Sequence, residues 1–142
     1  MRAPVPDDAP AVLAVIAARD TADLGAPDCT LGDLRDEWRL SDFDLASDAV
    51  VVEAEDRRIV GYSIVRGHGT LAVVAPEAEG QGVGALLLPW AERREREIGR
   101  DRHRQWIAAG NERGRELLWV AGYRQERSYW RMVREPASTQ AL

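Results

Sequence analysis

The feature that most constrains this chain is an uncharged apolar run that passes through a proline and a glycine-rich turn into a helix. Residues 70–75 carry no charged side chain and Pro76 ends the run. Glu79, Gly80, Gln81, Gly82, Val83 and Gly84 then lead into an amphipathic stretch ending at Ile98. A strand apolar on both faces belongs in the middle of a sheet. The helix after it is followed by a second strand-like run over residues 104–109, and a strand–helix–strand crossover joins parallel neighbours. A helix N-terminus exposes unpaired N–H groups and a partial positive charge. Glycines ahead of it let the backbone approach a phosphate and reach the φ > 0 turns that aim N–H groups at it. The segment therefore reads as a phosphate-cradling loop.

The remaining pattern surrounds this unit with antiparallel elements. Residues 2–5 form a short edge strand broken by Pro4 and Pro6. Asp7 or Asp8 caps a first helix whose stripe is Val12, Leu13, Val15 and Ile16, and which frays by Asp23. Thr30 with Asp33 has the spacing of a capping box for a second helix lined by Leu31, Leu34, Trp38 and Leu40; residues 41–47 are a connection. Residues 49–54 and 57–66 make a hairpin across Glu55 and Asp56, and Gly67, His68 and Gly69 turn the chain into the central strand. In the long helix Leu86, Leu87, Trp90 and Ala91 are the predicted inner face, Pro89 costs a hydrogen bond or a bend, and Gly99 fits the end. Asn111 opens a last helix, ended by Ala121 and Gly122. Residues 123–127 and 128–133 pair as a closing hairpin. The order is β-α-α-β-β-β-α-β-α-β-β: an α/β fold with a mixed, mostly antiparallel β-sheet and helices on both faces.

Length and composition bound the function. At 142 residues the chain is one domain by size, residues 1–134, followed by a disordered tail over 135–142. No apolar stretch is long enough to span a bilayer. The start lacks the apolar region of a secretory signal. One cysteine, Cys29, excludes an internal disulfide and a cysteine metal cage. A reduced, cytoplasmic location with no membrane and no metal is expected. The net charge of −5 is unevenly spread: residues 1–56 hold 4 Arg against 14 Asp and Glu, the rest 15 Arg against 10, and there is no Lys. The second half suits an anion and the first half a cation. Interleaving of Arg and Glu over residues 92–97 makes a solvated helix face, so no nucleic acid is expected. A Rossmann reading fails for want of a strand ending in an acidic residue at the right distance, and a Walker reading fails without lysine.

Val73-Val74-Ala75-Pro76, the loop Glu79 to Gly84 and Ala85-Leu86-Leu87 resemble the acetyl-CoA motif of the GCN5-related N-acetyltransferase (GNAT) superfamily. Asn111, followed by Leu117 and Gly122-Tyr123, is similar to its second motif. The resemblance covers residues 2–133 and implies the following. The two parallel strands splay, and the pantetheine arm of acetyl-CoA lies between them, paired with main-chain groups of Val73 and Val74. N–H groups of Gly80, Gln81, Gly82, Val83 and Gly84 bind the pyrophosphate, and Asn111 bonds the arm. An acceptor amine enters over the first two helices and attacks the thioester. A base takes its proton, an acid protonates the thiolate, and an N–H near Val73 polarises the carbonyl. The implied function is acetyl transfer to a small-molecule amine. The alternatives are a divergent or non-catalytic CoA- or ligand-binding protein of this fold, or a protein or peptide acetyltransferase.

Three positions depart from the family. Glu79 stands where Gln or Arg is usual; a carboxylate beside a pyrophosphate is repelled unless it points outward, and the usual side-chain bond is lost, so binding is expected to be weakened while the backbone donors remain. Leu118 occupies the position of the usual tyrosine acid, and residues 70–75 offer no carboxylate base. His68 has the titration range for a water-relayed base, although a histidine between two glycines is ordinarily an exposed turn residue. His103, in an arginine-rich loop, reads as solvated. Tyr62, Trp38 and Trp119 read as core residues, and Cys29 as an inert thiol. Arg93, Arg94, Arg113 and Arg115 are candidates for the CoA 3′-phosphate, and the acidic run from Asp23 to Glu37 for a cationic amine. Tyr129 and Trp130 on the last strand suit an acceptor pocket, core packing or a homodimer surface.

Overall fold

A computed structural model describes residues 1–128 of the chain. After a 3-10 turn over Pro6–Asp8, its elements are α1 (Ala9–Leu24), α2 (Leu31–Trp38), α3 (Leu45–Asp48), β1 (Ala49–Glu53), β2 (Ile59–Arg66), β3 (Gly69–Val74), α4 (Val83–Glu97), β4 (Gln105–Trp106) and α5 (Glu112–Val120). The strands form one sheet in the order β1-β2-β3-β4. The first two pairings are antiparallel and β3 with β4 is parallel. The strand–helix–strand crossover is thus present, built from β3, α4 and β4.

Two consecutive residues of β2 show how the sheet is sandwiched. Tyr62 is fully buried, and its hydroxyl accepts a 3.0 Å hydrogen bond from Trp38 Nε1 on α2. A Cβ on its neighbour Gly61 would lie 2.5 Å from Val83 Cγ1 and 3.4 Å from Leu87 Cδ1, both on α4. Adjacent strand residues face opposite ways, so α1, with α2 packed on it, covers one face and α4 the other. Burial on both faces is what the alternation-free apolar runs of β1 and β2 require. Burial pushes the Tyr62 phenol above its usual range, which keeps it a neutral donor and acceptor inside the core. Tyr62→Phe leaves the Trp38 donor buried without its partner and is expected to cost on the order of 1 kcal/mol, read from the urea midpoint.

Several local expectations are corrected. The edge strand over residues 2–5 reduces to one antiparallel bridge, Arg2 with Val51, because Pro6 starts a 3-10 turn and Pro4 has no N–H to donate. The first helix continues to Leu24, with Asp23 holding Arg19 one turn back. The Thr30–Asp33 capping box forms in both directions, but Leu40 lies past the helix and is exposed. The connection after it contains α3, capped by the Asp44 side chain on Ala46 N–H. Arg57 has φ +66 in the hairpin turn, which delays β2 to Ile59. On α4 the inner face is Val83, Leu87, Leu88 and Ala91, while Leu86 points outward.

The expected solvated face of α4 also fails at Glu95, which is fully buried. Its Oε1 accepts from Thr70 Oγ1 at 2.9 Å, and Arg100 and His103 lie 3.5 and 3.8 Å from its carboxylate. His103 is therefore half-buried rather than solvated. Trp119 is 60% exposed, under the guanidinium of Arg124, so it is not a core residue. Residues 123–127 are not a strand. Tyr123 N–H instead closes α5 on Leu118 C=O at 2.9 Å, helped by Gly122 at φ +98. The partner expected for that segment, together with Tyr129, Trp130 and the tail, lies outside the described residues.

Candidate functional site

The glycine loop has the conformation its sequence calls for. Gly80 and Gly82 sit at φ +76 and +84, where side-chain-bearing residues are strained. Gly82 is the N-cap of α4, and no side chain caps the helix there. The first N–H groups of α4 therefore have no partner from a capping residue. Gly80, Gln81 and Gly82 are exposed, and no atom lies within 4 Å of a Cβ built on Gly82. Val83 contributes backbone only, since its side chain is buried against Gly61. Gly84 has a packing role: a Cβ there would stand 2.8 Å from Leu117 Cδ2, so the glycine lets α5 approach α4.

The two parallel strands part company beside this loop. Pairing of β3 with β4 covers Thr70 with Gln105 and Leu71 with Trp106 and then stops, while β3 runs on to Val74. Hence β4 is shorter than the expected residues 104–109. The N–H and C=O of one strand residue point to the same side, and the next residue's point to the other. Thr70 N–H donates toward β4, to Arg104 C=O, at 2.8 Å, and Ala75 N–H toward β2, to Val60 C=O, at 2.8 Å. By this alternation Ala72 and Val74 present their main-chain groups to the gap, with Val73 between them turned toward β2.

A chain of charges closes one side of the gap. Arg19, from α1, bonds the Glu79 carboxylate, holds Asp23 at 2.7 Å, and reaches Val74 C=O at 3.4 Å. Burial disfavours the charge on Arg19, but Glu79 and Asp23 more than offset it, so its pKa is raised. Arg113 Nε stands 3.5 Å from the other Glu79 oxygen. Arg19, Asp23, Glu79 and Arg113, with Ala22, Gly110, Asn111 and Glu112, line a crevice of about 260 Å³. Arg19 was not legible as a site residue. Its signals were the Arg19–Asp23 spacing of four and the scarcity of basic residues in the first half of the chain.

The other candidates separate by position. Asn111 is the N-cap of α5, its Oδ1 accepting from Gly114 N–H at 3.0 Å, and it borders the crevice. His68 is at the opposite end of β3 from the loop, exposed, edge-on to Trp106 at 5.8 Å. Leu118 is half-buried on α5. Arg94 is committed elsewhere, to Asp48 at 2.8 Å and Glu97 at 3.2 Å, and Arg115 to Ala109 C=O at 3.1 Å. In the acidic run, Asp33 caps α2 and Glu37 pairs with Arg66 at 2.9 Å. Burial and then Asp33, Glu37 and Asp20 push the Cys29 thiol up, which keeps it protonated and unreactive. Among the described residues no cluster of His, Cys, Asp and Glu is arranged to hold a metal, and no helix is long and apolar enough to cross a membrane.

No family model and no curated protein matches the sequence. Solved structures do match. A GCN5-related N-acetyltransferase from Sphaerobacter thermophilus shares 29% identity over 87% of this chain, with a TM-score of 0.75; the match spans 42% of that longer protein. The GNAT domain of S. lividans PAT aligns with 87% of the chain and 80% of its own length, at 19% identity and TM-score 0.62. A chimera of the spermidine N-acetyltransferase SpeG from Vibrio cholerae and hSSAT aligns with 89% and 81%, at 16% identity and TM-score 0.60. The last two show the fold alone; the first adds shared sequence to it. With its strand–glycine loop–helix crossover, its parting parallel strands and these neighbours, the chain has the fold of the GCN5-related N-acetyltransferase superfamily and resembles one of its members in sequence.

Proposed function

We propose that this protein is an acetyl-CoA-dependent N-acetyltransferase acting on a small-molecule amine. The observation that carries the reading is a coincidence of two features bridged by one side chain, Arg19. The uncapped, glycine-led start of α4 lies next to the stretch of β3 that β4 leaves unpaired, and Arg19 touches both Val74 C=O and Glu79. The first is fitted to an anionic pyrophosphate and the second to an extended amide-bearing chain added to a sheet edge.

Acetyl-CoA bound there supplies an activated acetyl group. Binding and positioning are done by this chain's own residues. N–H groups from Gly80 to Gly84 hold the pyrophosphate, Val74 with Ala72 fixes the arm along β3, and Asn111 flanks it. Holding one reactant in a fixed geometry lowers the entropic part of the barrier. An N–H on the open edge of β3 stabilises negative charge on an oxygen beside it. Leu118 cannot donate a proton, so as the C–N bond forms and the C–S bond breaks the leaving thiolate takes a proton from water, and the hydroxide so formed takes the proton that the amine nitrogen loses. The resemblance to a spermidine acetyltransferase invites a polycation as acceptor. Asp23, Asp33 and Glu37 do not support that, because each already has a partner within the fold.

A second reading is favoured by Leu118 and by the absence of a carboxylate on β3: a divergent member that binds CoA without turnover. A thiol-release assay with acetyl-CoA and a panel of primary amines and amino-terminal peptides separates the two. The enzyme reading predicts release above the amine-free rate for at least one small amine. Release with peptides only assigns a protein or peptide acceptor. CoA binding with no release on any amine selects the second reading.

A further inference from the structure

We propose that Arg113 neutralises the pyrophosphate at the glycine loop and that Glu79 is the positioning residue that holds it there. The inference rests on the CoA-binding reading above but not on catalysis. A bare carboxylate at the head of a phosphate loop repels its ligand. The structure shows a different arrangement. Glu79 is bonded through one oxygen by Arg19, which Asp23 anchors, and its second oxygen faces Arg113 Nε at 3.5 Å. The row Asp23, Arg19, Glu79, Arg113 alternates in sign, so Glu79 stands between two positive groups.

The outermost member of the row is the cation. The Arg113 side chain is 67% exposed, against 12% for Arg19. Its Nη1 lies 2.9 Å from where a Cβ on Gly80 would be, so the guanidinium sits over the loop whose amides face the anion. Glu79 engages it through Nε, which directs the terminal nitrogens, the fork that binds phosphate oxygens, past the carboxylate toward the loop. Gly80 is then required for a second reason: any side chain there displaces Arg113. Glu79 thus replaces the family's usual polar residue by recruiting a cation from α5.

The test turns on the sign of one effect. Calorimetry is run with CoA, dephospho-CoA and pantetheine on the wild type, Glu79→Gln and Arg113→Ala. If Glu79 merely repels the ligand, Glu79→Gln tightens CoA binding. If it is the post for Arg113, Glu79→Gln weakens binding about threefold or more and Arg113→Ala about tenfold, the loss of one charge-assisted contact. Both penalties persist with dephospho-CoA and vanish with pantetheine. Tighter binding by Glu79→Gln, unchanged binding by Arg113→Ala, or a penalty seen only when the 3′-phosphate is present overturns the assignment. Failure of the wild type to bind CoA at all instead overturns the reading on which it rests. Both side chains are partly exposed, and circular dichroism confirms that the variants fold.

Discussion

Replacing Gly82 with Asp is expected to weaken CoA binding at least tenfold while leaving the fold in place. The residue sits at φ +84 with open space around its Cβ position, so the new side chain meets no steric clash. Asp also tolerates the left-handed region better than most residues. What changes is the anion site. An aspartate there sets a carboxylate beside the first-turn N–H groups of α4, the donors that the proposed pyrophosphate site requires. Its charge then repels the phosphates at short range. A tenfold loss corresponds to about 1.4 kcal/mol, within reach of either effect alone. Gly99→Asp is the control: φ is +86, space is again open, and the site is the far end of the same helix. It is expected to leave the CoA affinity unchanged.

Gly61→Leu has the largest expected effect on stability. A Cβ alone at this position comes within 2.5 Å of Val83 Cγ1, 3.3 Å of Val52 Cβ and 3.4 Å of Leu87 Cδ1. All three neighbours are buried, so none can swing out to solvent. Overpacking of this kind costs about 3 kcal/mol, and α4 must lift from the sheet to accommodate it. Because Val83 is the first residue of α4, lifting the helix also shifts the phosphate loop. The variant is therefore expected to lose urea stability and CoA affinity together. A variant that keeps wild-type urea stability would show that the sheet and helix are less tightly apposed than described here.

The sequence was most legible where one residue determines local geometry. Pro76, Gly80, Gly82 and Gly99 marked the ends of β3 and α4, and Thr30 with Asp33 marked the start of α2. It was least legible where an element's fate depends on a distant partner. The run after Arg104 is apolar enough for a longer strand, but its ladder ends at Trp106 because β3 and β4 diverge, which no local pattern encodes. Glu95 reads as one more charge on a solvated helix face. Only the approach of Thr70, Arg100 and His103 makes its burial tolerable. At the site, the glycine loop was apparent from residue types and order. The charge row was not, because Arg19, Glu79 and Arg113 are brought together from three separate elements. Glu79 alone looked like a defect; beside Arg19 and Arg113 its charge is balanced.

The most direct test of the CoA site is an amide NMR titration of the isotope-labelled protein with CoA. The account predicts saturable shifts centred on Gly80, Gly82, Val83 and Gly84, extending to Ala72, Val74 and Asn111, with little change at Gly99 at the far end of α4. Saturable shifts centred away from the loop, or no shifts at millimolar CoA, would contradict it.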